Sequence, residues 1–263
     1  MKIIWTNDIH LEFLSDQQLN RFLNSMNCGA DAILIAGDIA QARSLQKYLT
    51  QMSSIVTAPV YFVLGNHDFY KGSIRETKTD LKQFLQLTPN LHWLSESGVI
   101  KLTDKTALVG HEGWADGRFG HYDYSSVELN DFHLIRELKG LNKAMRLYHM
   151  QRLAEESAEH FNKVVPEALE VADHVIVVTH IPPWSSAAWY AGRHSDMEYL
   201  PFFSSQIAGQ TLMGYMEKNP EKRMTVLCGH THGGGESQIL PNLLCLTGES
   251  EYNLPRLQEP IEI

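Results

Sequence analysis

Along the chain, short apolar runs end in polar clusters, and between them lie stretches whose apolar positions recur at helical spacing. The runs predict strands at 2–6, 32–36, 60–64, 106–110, 175–179 and 224–228, with a further one at 243–247. Ser15-Asp16-Gln17-Gln18 is a capping-box start for a helix reaching about residue 26, and 73–87 repeats its apolar positions at helical spacing. A longer amphipathic pattern runs through Leu147, Met150, Leu153, Ala154, Phe161 and Val164 until Pro166 interrupts it. Strand and helix alternate, so the expected class is α/β with a mainly parallel sheet. The strands after residue 224 have no helix between them and are expected to be antiparallel. The segment 110–132 is rich in Gly, Asp, His and aromatic residues and reads as a long functional loop.

Composition narrows the class without changing it. A chain of 263 residues with 43% hydrophobic and 20% charged residues is sized and balanced for one globular domain spanning 1–263. The net charge of -9 disfavours a nucleic-acid backbone or an anionic membrane as partner. No apolar stretch approaches a spanning length and the first residues do not form a signal peptide, so the expectation is a cytoplasmic protein. Cys228 and Cys245 sit in apolar runs that suit buried free thiols, and no Cys-x-x-Cys pair is present. The 13 histidines stand out, because imidazole ligates transition metals.

Five apolar runs stop at clusters that hold nearly all the good metal ligands: Asp8-Ile9-His10, Gly37-Asp38, Gly65-Asn66-His67-Asp68, His180, and Gly229-His230-Thr231-His232. In α/β sheets ligands bind beyond the carboxyl ends of strands, so these clusters can converge on one crevice. In extended backbone, positions i and i+2 point the same way, which lets Asp8 with His10, and His230 with His232, reach one centre as pairs. Four histidines, two aspartates and an asparagine form a mixed nitrogen and oxygen set suited to Mn, Fe, Zn or Co. Seven ligands exceed the needs of one ion, and a carboxylate such as Asp38 can bridge two ions about 3.5 to 4 Å apart.

The series D-I-H, G-D, G-N-H-D, strand-terminal H and G-H-T-H, in this order, resembles the signature of the calcineurin-like metallophosphoesterases over nearly the whole chain. The resemblance implies a four-layer α/β/β/α sandwich with two central mixed sheets and a dinuclear centre. It implies Asp8, His10 and His232 as ligands of a first metal, Asn66, His180 and His230 of a second, and Asp38 as the bridge. It further implies that His67 stabilises the transition state or protonates the leaving oxygen, with Asp68 orienting it. The reaction implied is hydrolysis of a phosphomonoester or phosphodiester by attack of a hydroxide bridging the two ions.

Departures from named branches narrow the substrate. Ile39-Ala40-Gln41-Ala42 replaces the Asp-Arg-Gly continuation typical of the protein serine/threonine phosphatases, and His67 stands where the UDP-diacylglucosamine hydrolases usually have Arg. The repair nucleases of the family normally add a capping domain and basic surfaces, for which this chain leaves little room. A small organic phosphoester remains, with a catalytically silent scaffold of the same fold and a nuclease as the alternatives. Trp114, Arg118, His121 and Tyr122 in the long loop, and Trp184 after His180, are the candidates for framing that substrate.

Overall fold

A computed structural model describes residues 1–263. Strands β1 (Lys2–Thr6), β2 (Ala32–Ala36), β3 (Val60–Val63) and β4 (Leu91–Trp93) alternate with helices α1 (Asp16–Ser25), α2 (Ala42–Ile55) and α3 (Ile74–Leu85). Next come α4 (Leu94–Ser97), β5 (Ile100–Lys101), β6 (Thr106–Gly110), α5 (Asp131–Leu134), the long α6 (Lys143–Val171) and β7 (His174–Val178). A hairpin of β8 (Trp189–Tyr190) and β9 (Arg193–His194) precedes α7 (Leu200–Phe203) and α8 (Gln206–Lys218). The chain ends with β10 (Arg223–Cys228), β11 (Gly235–Leu240), β12 (Leu243–Thr247) and β13 (Ile261–Glu262).

Two mixed sheets form, one in the order β13-β1-β2-β3-β4 and the other β11-β12-β10-β7-β6-β5. Side chains alternate along each strand, and this period-2 pattern builds the layers. On the inner faces, Trp5, Leu34, Leu108, Ile176 and Leu227 pack in a core of 11 buried residues between the sheets. On the outer faces, Ile4, Ile33 and Ile35 pack with residues of α1 and α2, while Val175, Val177 and Val226 pack with residues of α6 and α8. The result is an αββα sandwich. No helix is long and apolar enough to cross a membrane.

The capping box at Ser15 is present, with Gln18 N donating to Ser15 Oγ and Ser15 N donating to Gln18 Oε1. Two expectations are corrected. Pro166 does not interrupt α6, which runs through it for 29 residues. Proline removes the N–H that would bond the carbonyl four residues back, and Tyr215 Oη on α8 lies within hydrogen-bond reach of that Asn162 carbonyl oxygen at 3.3 Å and of the Asn162 side-chain Oδ1 at 3.1 Å. The buried neighbours Val164, Val165, Ala168 and Leu169 hold both sides of the site against the sheet. The strands after residue 224 are also only partly antiparallel: β10 and β12 are parallel neighbours, and β11 pairs antiparallel with β12 at the sheet edge. The chain reaches the edge as β11 and turns back as β12 between β11 and β10, so no helix is needed to reverse it twice.

Candidate metal centre

Five parallel strands deliver the polar clusters to one edge of the sandwich. Asp8 and His10 follow β1, Asp38 follows β2, Asn66 and His67 follow β3, His180 follows β7, and His230 and His232 follow β10. Adjacent loops are laced by main-chain bonds, with Asp8 N donating to the Gly37 carbonyl and His10 N to the Asp38 carbonyl, each at 3.0 Å. Asp8, His10, Asp38, His230 and His232 all have left-handed backbone, with φ between 40° and 70°. Side chains pay roughly 1–2 kcal/mol each for that conformation, and it persists where the surroundings over-determine it. The expected extended geometry is therefore corrected. His230 and His232 do not point together but fall into different groups.

In the first group, ligand atoms of Asp8, His10 and His232 lie within 4.8 Å of one another, with His10 Nε2 3.3 Å from His232 Nε2. In the second, Asn66 Oδ1 lies 3.0 Å from both His180 Nε2 and His230 Nδ1. Asp38 sits between them, its Oδ2 3.7 Å from His10 Nε2 and its Oδ1 3.5 Å from His180 Nε2.

Tautomers in the second group follow from the far side of each ring. His180 Nδ1 faces the Ala36 carbonyl at 2.9 Å and His230 Nε2 faces the Phe202 carbonyl at 3.1 Å, so these nitrogens carry the protons. His180 Nε2 and His230 Nδ1 are then lone pairs turned on the Asn66 oxygen. Asn66 Nδ2 donates to Asp131 Oδ1 at 2.8 Å, and Tyr70 Oη donates to the same oxygen at 2.6 Å, which fixes the amide with its carbonyl toward the rings. Three acceptors thus face one another with no donor among them. A cation resolves that conflict, since donor atoms bonded to one ion at about 2.1 Å and a right angle apart stand about 3 Å from each other.

Electrostatics point the same way. Burial, then the neighbouring imidazoles, pushes His10 far below the ordinary histidine range, and burial with His180 beside it pushes His230 down to about 3. Burial also lowers His180. These rings are neutral near pH 7, the form that ligates metal. Burial, then Asp8 and Asp68, raises Asp38 well above the carboxylate range. The only cationic candidates within 4.0 Å of Asp8 or Asp38 are histidines, so these buried carboxylates lack a lysine or arginine partner. The donor set fits transition metal ions.

Close backbone approach makes the cluster possible at two glycines. A Cβ on Gly65 would collide with the Asp38 carboxylate, and one on Gly229 with the Asp8 carboxylate. Asn7, which the sequence did not single out, donates from Nδ2 to Asp8 Oδ2 at 2.6 Å, and His230 N donates to the same carboxylate at 2.9 Å. Glu12 is a further omission: its ligand oxygen lies within 4.8 Å of ligand atoms of His10 and His67, and burial raises its pKa to about 7.

His67 stands beside both groups, its ring stacked on Tyr70 at 4.1 Å and its Nε2 4.0 Å from Asp38 Oδ2. Burial, then His180 and His232, lowers it to about 3. Asp68 does not orient it, which corrects the expectation. The Asp68 carboxylate accepts main-chain N–H bonds from Ala40 at 2.8 Å, Ile39 at 3.0 Å and Gly65 at 2.7 Å, and ties the loop after β2 to the loop after β3. His67–Phe69 is a 3-10 turn, in which successive side chains diverge by about 120°, so neighbours cannot share a direction.

A cavity of about 410 Å³ opens over the centre, lined by Asp38, Asn66, His67, His230 and His232 at its floor. Its walls come from Tyr70, Leu129, Asn130, Asp131, Tyr190, Phe203, Glu251 and Tyr252. None of the five residues expected to frame substrate lines it. Trp114 is buried in the core near Phe69, and Trp184 is buried among residues of the second sheet's outer core. Tyr122 is buried with its hydroxyl donating to the Lys143 carbonyl, and Arg118 pairs with Asp116 and Glu155. His121 is exposed. The loop spends Trp114, Arg118 and Tyr122 on its own packing and pairing, and only its end at Leu129–Asp131 reaches the cavity.

A two-sheet sandwich with buried histidine and aspartate clusters at its strand ends defines the metallophosphoesterase class of fold. The calcineurin-like phosphoesterase family matches residues 1–234, and the chain belongs to that family. No curated protein matches it in sequence. Among solved structures it is similar to the phosphopantetheinyl hydrolase of Mycobacterium tuberculosis, at 13% identity and TM-score 0.69, over 96% of this chain and 90% of that one. It is also similar to a dimetal phosphatase of Danio rerio, at 12% identity and TM-score 0.57, over 97% of this chain and 89% of that one. At these identities the likeness is one of fold.

Proposed function

We propose that the chain is a metal-dependent phosphoesterase hydrolysing a phosphomonoester or phosphodiester of a small organic substrate. One observation carries this reading: acceptor atoms of seven side chains from five strand ends crowd together, two of them buried carboxylates that lack lysine or arginine partners. Asp8, His10 and His232 would hold one ion and Asn66, His180 and His230 another, with Asp38 shared. Two such ions, when bound, supply Lewis acidity to phosphoryl oxygens and lower the pKa of water.

The chain's own residues would do the rest. Asp131 and Tyr70 keep the Asn66 carbonyl aimed inward, and Asn7 holds the Asp8 carboxylate. His67 borders the cavity but belongs to neither ligand group as assigned, so it is free to meet substrate. With its pKa held near 3, the ring is neutral, and its N–H suits hydrogen bonding to a phosphoryl oxygen better than delivery of a proton.

Chelated protein should lose hydrolysis of p-nitrophenyl phosphate and bis(p-nitrophenyl) phosphate, and Mn, Fe, Zn or Co should restore it better than Mg. Absence of turnover of either ester with any ion would overturn the reading. His67→Ala should keep both ions and slow nitrophenyl and alkyl esters by similar factors, of about 10² or more. A loss concentrated on the alkyl esters, whose leaving groups need a proton, would instead mark His67 as the acid.

A further inference from the structure

The walls of the cavity differ sharply from its floor. Tyr252 lies across His10 and His232, at 4.6 and 4.8 Å between ring centres, and remains 45% exposed. Tyr190, 56% exposed, and Phe203, edge-on to His230 at 5.2 Å, supply further aromatic surface. These rings are anchored. Trp189 holds the hairpin by donating from Nε1 to Ser237 Oγ at 3.3 Å and by packing against His194, its ring tilted, at 4.1 Å between ring centres. The tight turn at Ala191 and Gly192, both at positive φ, follows Tyr190 directly. Tyr252 likewise precedes Asn253 at φ 66°.

Charge is as telling as shape. No lysine or arginine lines the cavity, whose charged or titratable side chains besides the histidines and tyrosines are Asp38, Asp131 and Glu251. Arg193, paired with Tyr190 across the hairpin, is exposed and does not line it. Sites that take polyphosphates or carboxylates present Arg or Lys to the extra charge. Here Glu251 would repel it. Exposed rings at a concave mouth, with one end of the space polar, suit a flat group held by stacking.

Resting on the phosphoesterase reading above, we propose that Tyr190, Phe203 and Tyr252 form the subsite for the group esterified to the phosphoryl. That group is flat, aromatic and free of negative charge, such as an aryl ring or a nucleobase-like heterocycle. Substrates with a second anionic group beyond the reacting phosphoryl are excluded.

Non-hydrolysable phosphonates separate this subsite from the metal centre, because all share the same head. Calorimetry on metal-loaded protein should give benzylphosphonate a Kd at least about tenfold below that of methylphosphonate, the usual scale of one aromatic stack. (4-Carboxybenzyl)phosphonate should lose that gain. Tyr190→Ala and Tyr252→Ala should each bring the benzyl-to-methyl ratio toward one, whereas Tyr252→Phe should preserve it. Metal content is measured in every variant. Tyr190 serves as the second test, since Tyr252 packs on His10 and His232 and its loss can disturb them.

A wild-type ratio near one, a ratio unmoved in both alanine variants, or a carboxybenzyl compound bound as tightly as the benzyl one overturns the subsite. If methylphosphonate binds and aryl esters turn over while the ratio is one, only the subsite fails. If no phosphonate binds and no ester turns over with any ion, the phosphoesterase reading fails and the subsite with it.

Discussion

Asp38 is buried, flanked by Asp8 and Asp68, and held at φ 53°. Each of these conditions costs stability in the metal-free protein. A carboxyl whose native pKa lies above its unfolded value of about 3.9 keeps its proton longer when folded, so stability falls as pH rises past that value. Left-handed backbone adds its own cost, which aspartate and asparagine tolerate alike, so exchanging one for the other leaves it unchanged. Asp38→Asn keeps an oxygen for the His67 main-chain N–H, which donates to Asp38 Oδ1 at 2.8 Å, while removing the charge. Urea unfolding at pH 7.5 in chelator should therefore find Asp38→Asn more stable than wild type. With metal added the order should reverse, because a ligand that binds only the native state stabilises it and the variant binds it poorly. A variant less stable than wild type in chelator would show that the carboxylate serves packing instead.

Among the elements, α6 shows how a local rule yields to tertiary contact. Its Pro166 leaves the Asn162 carbonyl without a helical donor, and Tyr215 Oη on α8 stands within reach of both that oxygen and the Asn162 side-chain oxygen. Tyr215→Phe should cost about 0.5–1 kcal/mol, and in a Pro166→Ala background, where residue 166 regains its N–H, at most half as much. Equal costs in both backgrounds, read by urea unfolding, would deny the coupling. The same contact explains why the sequence placed the helix end too early. Strands β1, β2, β6 and β12 were legible because their residues are apolar runs buried in the sheets. The edge strand β11, Gly-Glu-Ser-Gln-Ile-Leu, was not, since half of it faces away from the core and its partner lies later in the chain. Helices α2 and α8 begin without a side-chain cap, and α8 contains Gly209 and Gly214, so neither announced its start.

For the whole molecule, the candidate centre was legible because parallel strands bring their carboxyl ends to one edge, and the ligand types stood directly at those ends. The cavity walls were not. Tyr190, Phe203 and Tyr252 come from a short hairpin, a one-turn helix and an irregular tail segment, which share no periodic signal and meet only through packing. The aromatic loop misled for the converse reason: Trp114 and Tyr122 satisfy the core that the loop itself covers. The proposed function rests on two ions sharing one carboxylate, and elemental analysis of wild type and Asp38→Ala protein tests that most directly. Wild type should hold two transition ions per chain and Asp38→Ala should lose occupancy at both positions. Less than one ion per chain in wild type, or two retained in Asp38→Ala, would contradict the shared dinuclear centre.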